Sequence, residues 1–201
     1  MPIYKGQTKI VKLYKGTTQI IKRYKGTDLI YSASRLPAGY QEVEYIECSD
    51  SVSSYIDIGI TWNNLSKIKT KVQYLDSDAS GMLFNNPNRE NPYIAVSRTV
   101  GLSNFSSNIS LSQLTNQQIT ELEMTFTSTY TTNVITRNWD GVWNNRLRYF
   151  YIEFYDNNDT LVRNFIPCYR KSDTEIGLYD LVNDVFYTNA GSGTFIKGND
   201  V

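Results

Sequence analysis

Two tryptophans flank a turn between residues 139 and 146, and this segment carries the residue types that bind sugars. Its sequence is Trp139-Asp140-Gly141-Val142-Trp143-Asn144-Asn145-Arg146. Aromatic rings pack on the apolar face of a pyranose, while planar polar groups hydrogen-bond its hydroxyls. The predicted glycan ligands are Trp139, Asp140, Trp143, Asn144 and Asn145, with Trp62 as a second, weaker candidate. The alternative is that one or both of the paired tryptophans fill the core or cap a sheet edge.

Glu121 and Glu123 lie two positions apart, so on a strand they would share one face. Retaining glycoside hydrolysis needs two carboxyl groups about 5 Å apart in distinct environments. The sequence supplies this Glu-x-Glu pair without an acid/base partner. A solvated outer face is therefore the favoured interpretation, and a sandwich glycoside hydrolase is kept only as an alternative.

Asp156-Asn157-Asn158-Asp159 offers the hard oxygen ligands that calcium accepts. The segment lacks EF-hand spacing, and a tight hairpin explains the same residues without a metal. The chain contains no histidine, which removes the usual general base, the usual zinc ligand and every nucleophile pair built on histidine. We predict a protein with no catalytic residues, no metal and no cofactor.

Cys48 and Cys168 are the two cysteines, and each occupies an inward-facing position of a strand pattern. Two buried free thiols are expected, with a disulfide as the less favoured alternative.

The chain begins with a sequence repeat of ten residues. A fixed repeat length gives the size of the structural unit that is repeated. The aligned positions are Tyr4, Tyr14 and Tyr24, then Lys5, Lys15 and Lys25, then Gly6, Gly16 and Gly26. Ten residues hold one strand and one tight turn, and Lys-Gly suits that turn because glycine accepts positive φ. Residues 1–31 are predicted to form a β-meander arm, or strands that wind around partner copies. A simple hairpin extension packed on the main domain is the alternative.

The predicted arm is basic and the rest of the chain is acidic. Residues 1–31 carry seven Lys and Arg against one Asp, which gives +6, whereas the whole chain balances at 20 and 20. The remainder is therefore 13 minus 19, or −6. Such asymmetry indicates an interaction segment. Nucleic acid is disfavoured as its partner, because the lysines are evenly spaced and no stacking platform is evident.

Residues 32–39 have the composition of a linker, and residues 40–201 read as short strands separated by turns every eight to twelve residues. In Ser66–Leu75, Ile68, Thr70, Val72 and Tyr74 would face inward while the lysines between them face water. No apolar run is long enough to span a membrane, and no secretory signal is recognised. The class is therefore all-β, and the expected architecture is an antiparallel sandwich.

Several segments resemble the laminin-G-like, concanavalin A-like sandwich domains of phage structural proteins and gut-bacterial surface proteins. They are residues 36–47, 54–60, 164–171, 177–180 and 185–195, the last reading Val-Phe-Tyr-Thr-Asn-Ala-Gly-Ser-Gly-Thr-Phe. The N-terminal repeat resembles short repeats that precede such domains in phage tail and fibre-like proteins.

This resemblance implies a jelly-roll β-sandwich and a role in virion attachment or decoration. The expected partners are other virion proteins (capsid, portal or neck, or tail) bound through the arm, sister subunits in a trimer, and a host glycan. Neither nucleic acid nor a membrane is expected as a partner. The protein would be made in the host cytoplasm and reside in the virion. A carbohydrate-binding module of a bacterial surface protein is the alternative, and the missing secretion signal argues against it.

Overall fold

The computed structural model describes residues 4–5, 8–9, 13–15, 18–20, 22–25, 28–32, 35–48, 53–59, 65–75, 81–85, 94–97, 101–103, 106–108, 110, 113, 117–125, 134–135 and 146–201. The chain divides into two compact units, Met1–Ala38 and Gly39–Val201. The functional roles predicted for residues 1–31, 32–39 and 40–201 stay predictions.

The first unit contains one short hairpin for each repeat. The strands are β1 (Tyr4–Lys5), β2 (Thr8–Lys9), β3 (Leu13–Lys15), β4 (Thr18–Ile20), β5 (Lys22–Lys25) and β6 (Asp28–Ser32). They pair as β1–β2, β3–β4 and β5–β6, in three separate two-stranded antiparallel sheets.

The innermost ladder pairs are Lys5↔Thr8, Lys15↔Thr18 and Lys25↔Asp28. Each pair encloses two sequence positions, the first of them a glycine, which matches the preference of two-residue hairpin loops. Gly6, Gly16 and Gly26 themselves lie outside the described residues. The hairpin positions agree with the repeat, and a continuous meander through all the repeats stays a prediction.

The second unit is built from antiparallel strands of two sheets. Its strands are β7 (Tyr40–Glu42), β8 (Ile46–Cys48), β9 (Ile56–Asp57), β10 (Leu65–Tyr74), β11 (Gly81–Asn85), β12 (Ile94–Ser97), β13 (Gly101–Ser103), β14 (Ser106–Ser107), β15 (Thr120–Thr125), β16 (Val134–Ile135), β17 (Leu147–Asp156), β18 (Leu161–Arg170), β19 (Ile176–Asp180), β20 (Val185–Thr188) and β21 (Phe195–Lys197). The larger sheet runs β14-β15-β10-β17-β18-β19-β20, with β7 on β18, β8 on β17, and β21 on β8. The smaller sheet runs β13-β12-β11-β16-β9.

The two sheets share one apolar core. Phe84 of the smaller sheet meets Phe154 of the larger one edge-to-face, with ring centroids 5.7 Å apart. The Tyr149 hydroxyl donates a hydrogen bond to the Leu83 carbonyl oxygen at 3.1 Å, so this large polar side chain is satisfied where it is buried. The described residues thus confirm the prediction of an all-β, antiparallel fold.

Strand β10 confirms the predicted alternation. Ile68, Thr70, Val72 and Tyr74 are fully buried, whereas Lys67, Lys69, Lys71 and Gln73 are partly exposed. Thr70 is tolerated inside because its hydroxyl donates to the Tyr151 carbonyl oxygen at 2.7 Å.

Both cysteines are free and buried, as predicted. Cys48 ends β8 and Cys168 lies in β18. Burial raises the pKa of the Cys168 thiol to about 12.

Candidate ligand-binding face

The predicted glycan ligands lie outside the described residues. They are Trp62, Trp139, Asp140, Trp143, Asn144 and Asn145, so the tryptophan-flanked site stays a prediction. Arg146, which ends that segment, is described, and its Nη2 donates to the buried carboxylate of Glu47 at 2.9 Å. Of the predicted arm residues, Tyr4, Lys5, Tyr14, Lys15, Tyr24 and Lys25 lie on hairpin strands.

The outward face of the larger sheet carries rows of charged and aromatic side chains, because β10 pairs with both β15 and β17. Lys71 lies opposite Glu121 on one side and Tyr151 on the other. Lys69 likewise lies between Glu123 and Glu153. This face therefore mixes ammonium, carboxylate and phenol groups within neighbouring rows.

Glu121 and Glu123 share this outer face, as predicted. The Lys69 ammonium is 3.0 Å from the Glu123 carboxylate, and that hydrogen bond and charge raise the pKa of Lys69. Lys69 lies between Glu123 and Glu153 in the ladder, and the described contact of Glu123 is a charge pair with it.

A bulge in β17 places two consecutive aromatic residues on the outer face. Val72 pairs with Tyr149 and Lys71 pairs with Tyr151, so β17 has one more residue here than β10. Tyr149 and Ile152 are buried. The intervening Phe150 and Tyr151 are both partly exposed on the outward side, where alternation would have allowed only one of them.

Phe150 packs beside Tyr45, with ring centroids 5.6 Å apart. The Lys71 ammonium lies 5.9 Å from the centre of the Phe150 ring. We call Tyr45, Phe150 and Tyr151 the aromatic patch.

Glu47 and Arg148 fix one side of the aromatic patch. The Arg148 guanidinium lies over the Tyr45 ring at 4.3 Å and donates to Glu47 at 2.8 Å and to Gln73 at 3.3 Å. Glu47 is only 2% exposed. Burial by itself would raise the pKa of this carboxyl, but hydrogen bonds and charges from Arg148 and Arg146 outweigh burial and hold the pKa below its ordinary value.

Tyr155, on the same face, has a different environment. Lys67 and Lys69 lie over its ring at 4.5 and 5.7 Å, and its hydroxyl donates to Glu153 at 2.7 Å. Burial and this carboxylate raise the pKa of Tyr155 to about 12. Lys67 also pairs with Asp159. The Tyr155 ring is therefore covered, whereas no described side chain makes a ring or cation contact with Tyr151.

The acidic turn at Asp156 has a structural role. One Asp156 carboxylate oxygen accepts the backbone N–H groups of Thr160 at 2.9 Å and Asn158 at 2.8 Å. These bonds, with that to Thr160 the strongest cause, lower the pKa of Asp156. Asp159 adopts a left-handed φ of 61°, which aspartate tolerates in turns. Within the described ranges, no group of three or more His, Cys, Asp or Glu side chains could hold a metal ion.

The segment after β20 is hydrogen-bonded to the segment before β9 and packs closely against it. The Asn189 side-chain oxygen accepts from the Tyr55 backbone N–H at 2.9 Å, and its amide nitrogen donates to the Ser53 carbonyl at 3.3 Å. A Cβ on Gly191 would lie 2.0 Å from the Ser53 carbonyl oxygen, so this position must be glycine. Two of the segments that carry the resemblance therefore meet here, and their described contacts are structural.

The aromatic patch was not among the sites predicted from the sequence. The run Tyr149-Phe150-Tyr151 was a usable signal, because three consecutive aromatic residues on a strand cannot all point into one core.

No protein-family model matches the chain, and neither a curated protein nor a solved structure matches it. Among the described residues, no helix is both long and apolar enough to cross a membrane.

Proposed function

We propose that this is a non-enzymatic bacteriophage virion protein, a head or tail fibre or decoration protein. Its N-terminal arm anchors it to the particle or oligomerises, and its body is displayed for attachment to host glycans. The finer fold that we propose for the body is a laminin-G-like, concanavalin A-like jelly roll. Two antiparallel sheets around one core support that fold, and the sequence resemblance supports the virion role.

The observation that carries the proposal is the set of small hairpins formed by the repeats. The described ladders of the three hairpins contain two, three and four residue pairs. Isolated two-stranded hairpins are marginally stable in water, because they bury little apolar surface. The arm therefore gains its stability from a larger assembly, with a trimer as the favoured oligomer.

Charge indicates what kind of surface the arm binds. Its net charge of +6 suits an acidic protein surface on a capsid, portal, neck or tail protein, and the −6 of the rest of the chain suits the arms of sister subunits. The evenly spaced lysines on strands argue against nucleic acid as the partner.

Deleting residues 1–31 tests the proposal. We expect the native mass, measured by light scattering after size exclusion, to fall to that of one chain, while far-ultraviolet circular dichroism keeps its β signature. The matched variant is the full chain with Lys5, Lys15 and Lys25 changed to glutamate. This variant should lose incorporation into particles, because the charge that attracts the acidic partner is reversed. An unchanged native mass together with normal incorporation after the deletion would refute the proposal.

A carbohydrate-binding module of a bacterial surface protein is the second candidate, and the partly exposed aromatic patch is the observation that favours it. The deletion separates the two candidates, because a free-standing module needs no arm to assemble. A glycan array with the Trp143→Ala variant tests the predicted tryptophan-flanked site. Glycosidase activity lost in Glu121→Gln would revive the enzymatic alternative.

A further inference from the structure

We infer that the aromatic patch of Tyr45, Phe150 and Tyr151 is a binding site for an uncharged polysaccharide. The site lies on the outward face of the larger sheet, and its residues Phe150 and Tyr151 come shortly after the predicted tryptophan-flanked segment 139–146 in the chain. The inference rests on the proposed glycan attachment and names its chemical class of ligand.

The bulge in β17 decides which way both of its neighbouring aromatic rings point. Regular pairing of β17 with β10 would place Phe150 and Tyr151 on opposite faces, with one of them in the core. The extra residue turns both rings outward instead, although burying an aromatic side chain is among the largest favourable terms in a core. β-bulges that re-aim side chains occur preferentially near functional sites.

Two of the three rings, Tyr45 and Phe150, are held in place before any ligand arrives. Tyr45 is held between the Arg148 guanidinium and Phe150. Arg148 is itself held by Glu47 and Gln73. A ligand that packs against Phe150 therefore loses little affinity to the ordering of that side chain.

The charges described on or beside this face balance. Five are cations and five are anions, with Glu47 buried among them; they are Lys67, Lys69, Lys71, Arg146 and Arg148, and Glu47, Glu121, Glu123, Glu153 and Asp159. Most of them pair with one another. A balanced face does not concentrate a polyanion such as nucleic acid or an acidic polysaccharide. The partly exposed Tyr151 ring, which lies opposite Lys71 and is not covered by a cation among the described residues, instead suits a ligand with apolar sugar faces and neutral hydroxyls.

The test measures binding of the full chain to soluble polysaccharides by affinity electrophoresis. The neutral probes are mixed-linkage β-glucan, mannan and xyloglucan, and the anionic probes are alginate and dextran sulfate. We expect binding to at least one neutral probe, with affinity falling about tenfold in Tyr151→Ala. The matched control is Tyr155→Ala, which removes the same side chain from the same strand and face where lysines cover the ring. It should change affinity by less than about threefold.

Circular dichroism and urea unfolding must show that both variants fold. Phe150→Ala gives a second reading if Tyr151→Ala fails to fold. Preference for the anionic probes would overturn the inference. So would equal losses in Tyr151→Ala and Tyr155→Ala. A third outcome would also overturn the inference: binding to a neutral polysaccharide that is lost in Trp143→Ala and kept in Tyr151→Ala. In that case the proposed glycan attachment would stand. Failure of every probe to bind the wild-type chain would reject glycan attachment by either site, while assembly through the arm is judged by the deletion alone.

Discussion

Changing Glu47 to glutamine probes the buried charge that supports the aromatic patch. The Glu47 carboxylate is 2% exposed and accepts hydrogen bonds from Arg146 at 2.9 Å and Arg148 at 2.8 Å. Glutamine keeps one acceptor oxygen but removes the negative charge from between the two guanidinium groups. The variant therefore leaves two cations side by side without their shared counter-charge.

The expected loss of stability is about 2 kcal/mol. Hydrogen bonds to charged groups contribute about 1.5–3 kcal/mol each, and a fully buried pair broken on one side costs about 3–5 kcal/mol. The side chains of Arg148 and Arg146 are 29% and 50% exposed, so water compensates part of the loss. For a domain of this size, about 2 kcal/mol corresponds to a fall in Tm of about 4–8 °C.

The assay is urea unfolding followed by fluorescence, repeated from pH 7 down to pH 3. The pKa of Glu47 is lower in the folded protein, so its contribution is complete above the unfolded pKa of about 4.3 and is lost as pH falls through the folded pKa. Glu47→Gln should therefore lose stability at pH 7 and lack that acidic decline. The matched control is the exposed Glu175→Gln, which should stay within about 0.5 kcal/mol of wild type. Equal unfolding free energies and identical pH profiles for the two variants would refute the reasoning.

Two further predictions concern packing. Gly191→Ala should lower the free energy of unfolding by about 2–3 kcal/mol, because the added Cβ would lie 2.0 Å from the Ser53 carbonyl oxygen. The control is Gly39→Ala, where a Cβ meets nothing within 4 Å. Equal effects of the two variants in urea unfolding would contradict the close packing of Gly191 against Ser53. Burial raises the pKa of the Cys168 thiol to about 12. We therefore expect this thiol to be unreactive towards a disulfide reagent at pH 8 until urea unfolds the chain. Rapid labelling of the folded protein would contradict a buried thiol.

The alternation of β10 was predictable because it follows from local chemistry. Lysines alternate with Ile68, Thr70 and Val72, and a strand points successive side chains to opposite faces. A sheet with one buried face therefore specifies which side of this strand lies inside. The turn at Asp156 was predictable for a similar reason, since a short carboxylate readily accepts the backbone N–H groups that follow it.

The burial of Glu47 was not predictable in this way. Alternation places Glu47 on the face opposite Ile46 and Cys48, yet all three are buried. The arginines that make its burial tolerable come from β17 and the residue before it, about a hundred positions later in the chain. Nothing near Glu47 in sequence indicates this partnership.

Local residue chemistry was sufficient for the all-β class and the facing of β10, because side-chain alternation acts over only a few residues. The outward turn of Phe150 and Tyr151, the charge network at Glu47 and the fit of Gly191 against Ser53 depended on the assembled fold. Each of these arises from the register between segments that are distant in the chain, and a register is fixed only when a strand meets its partner.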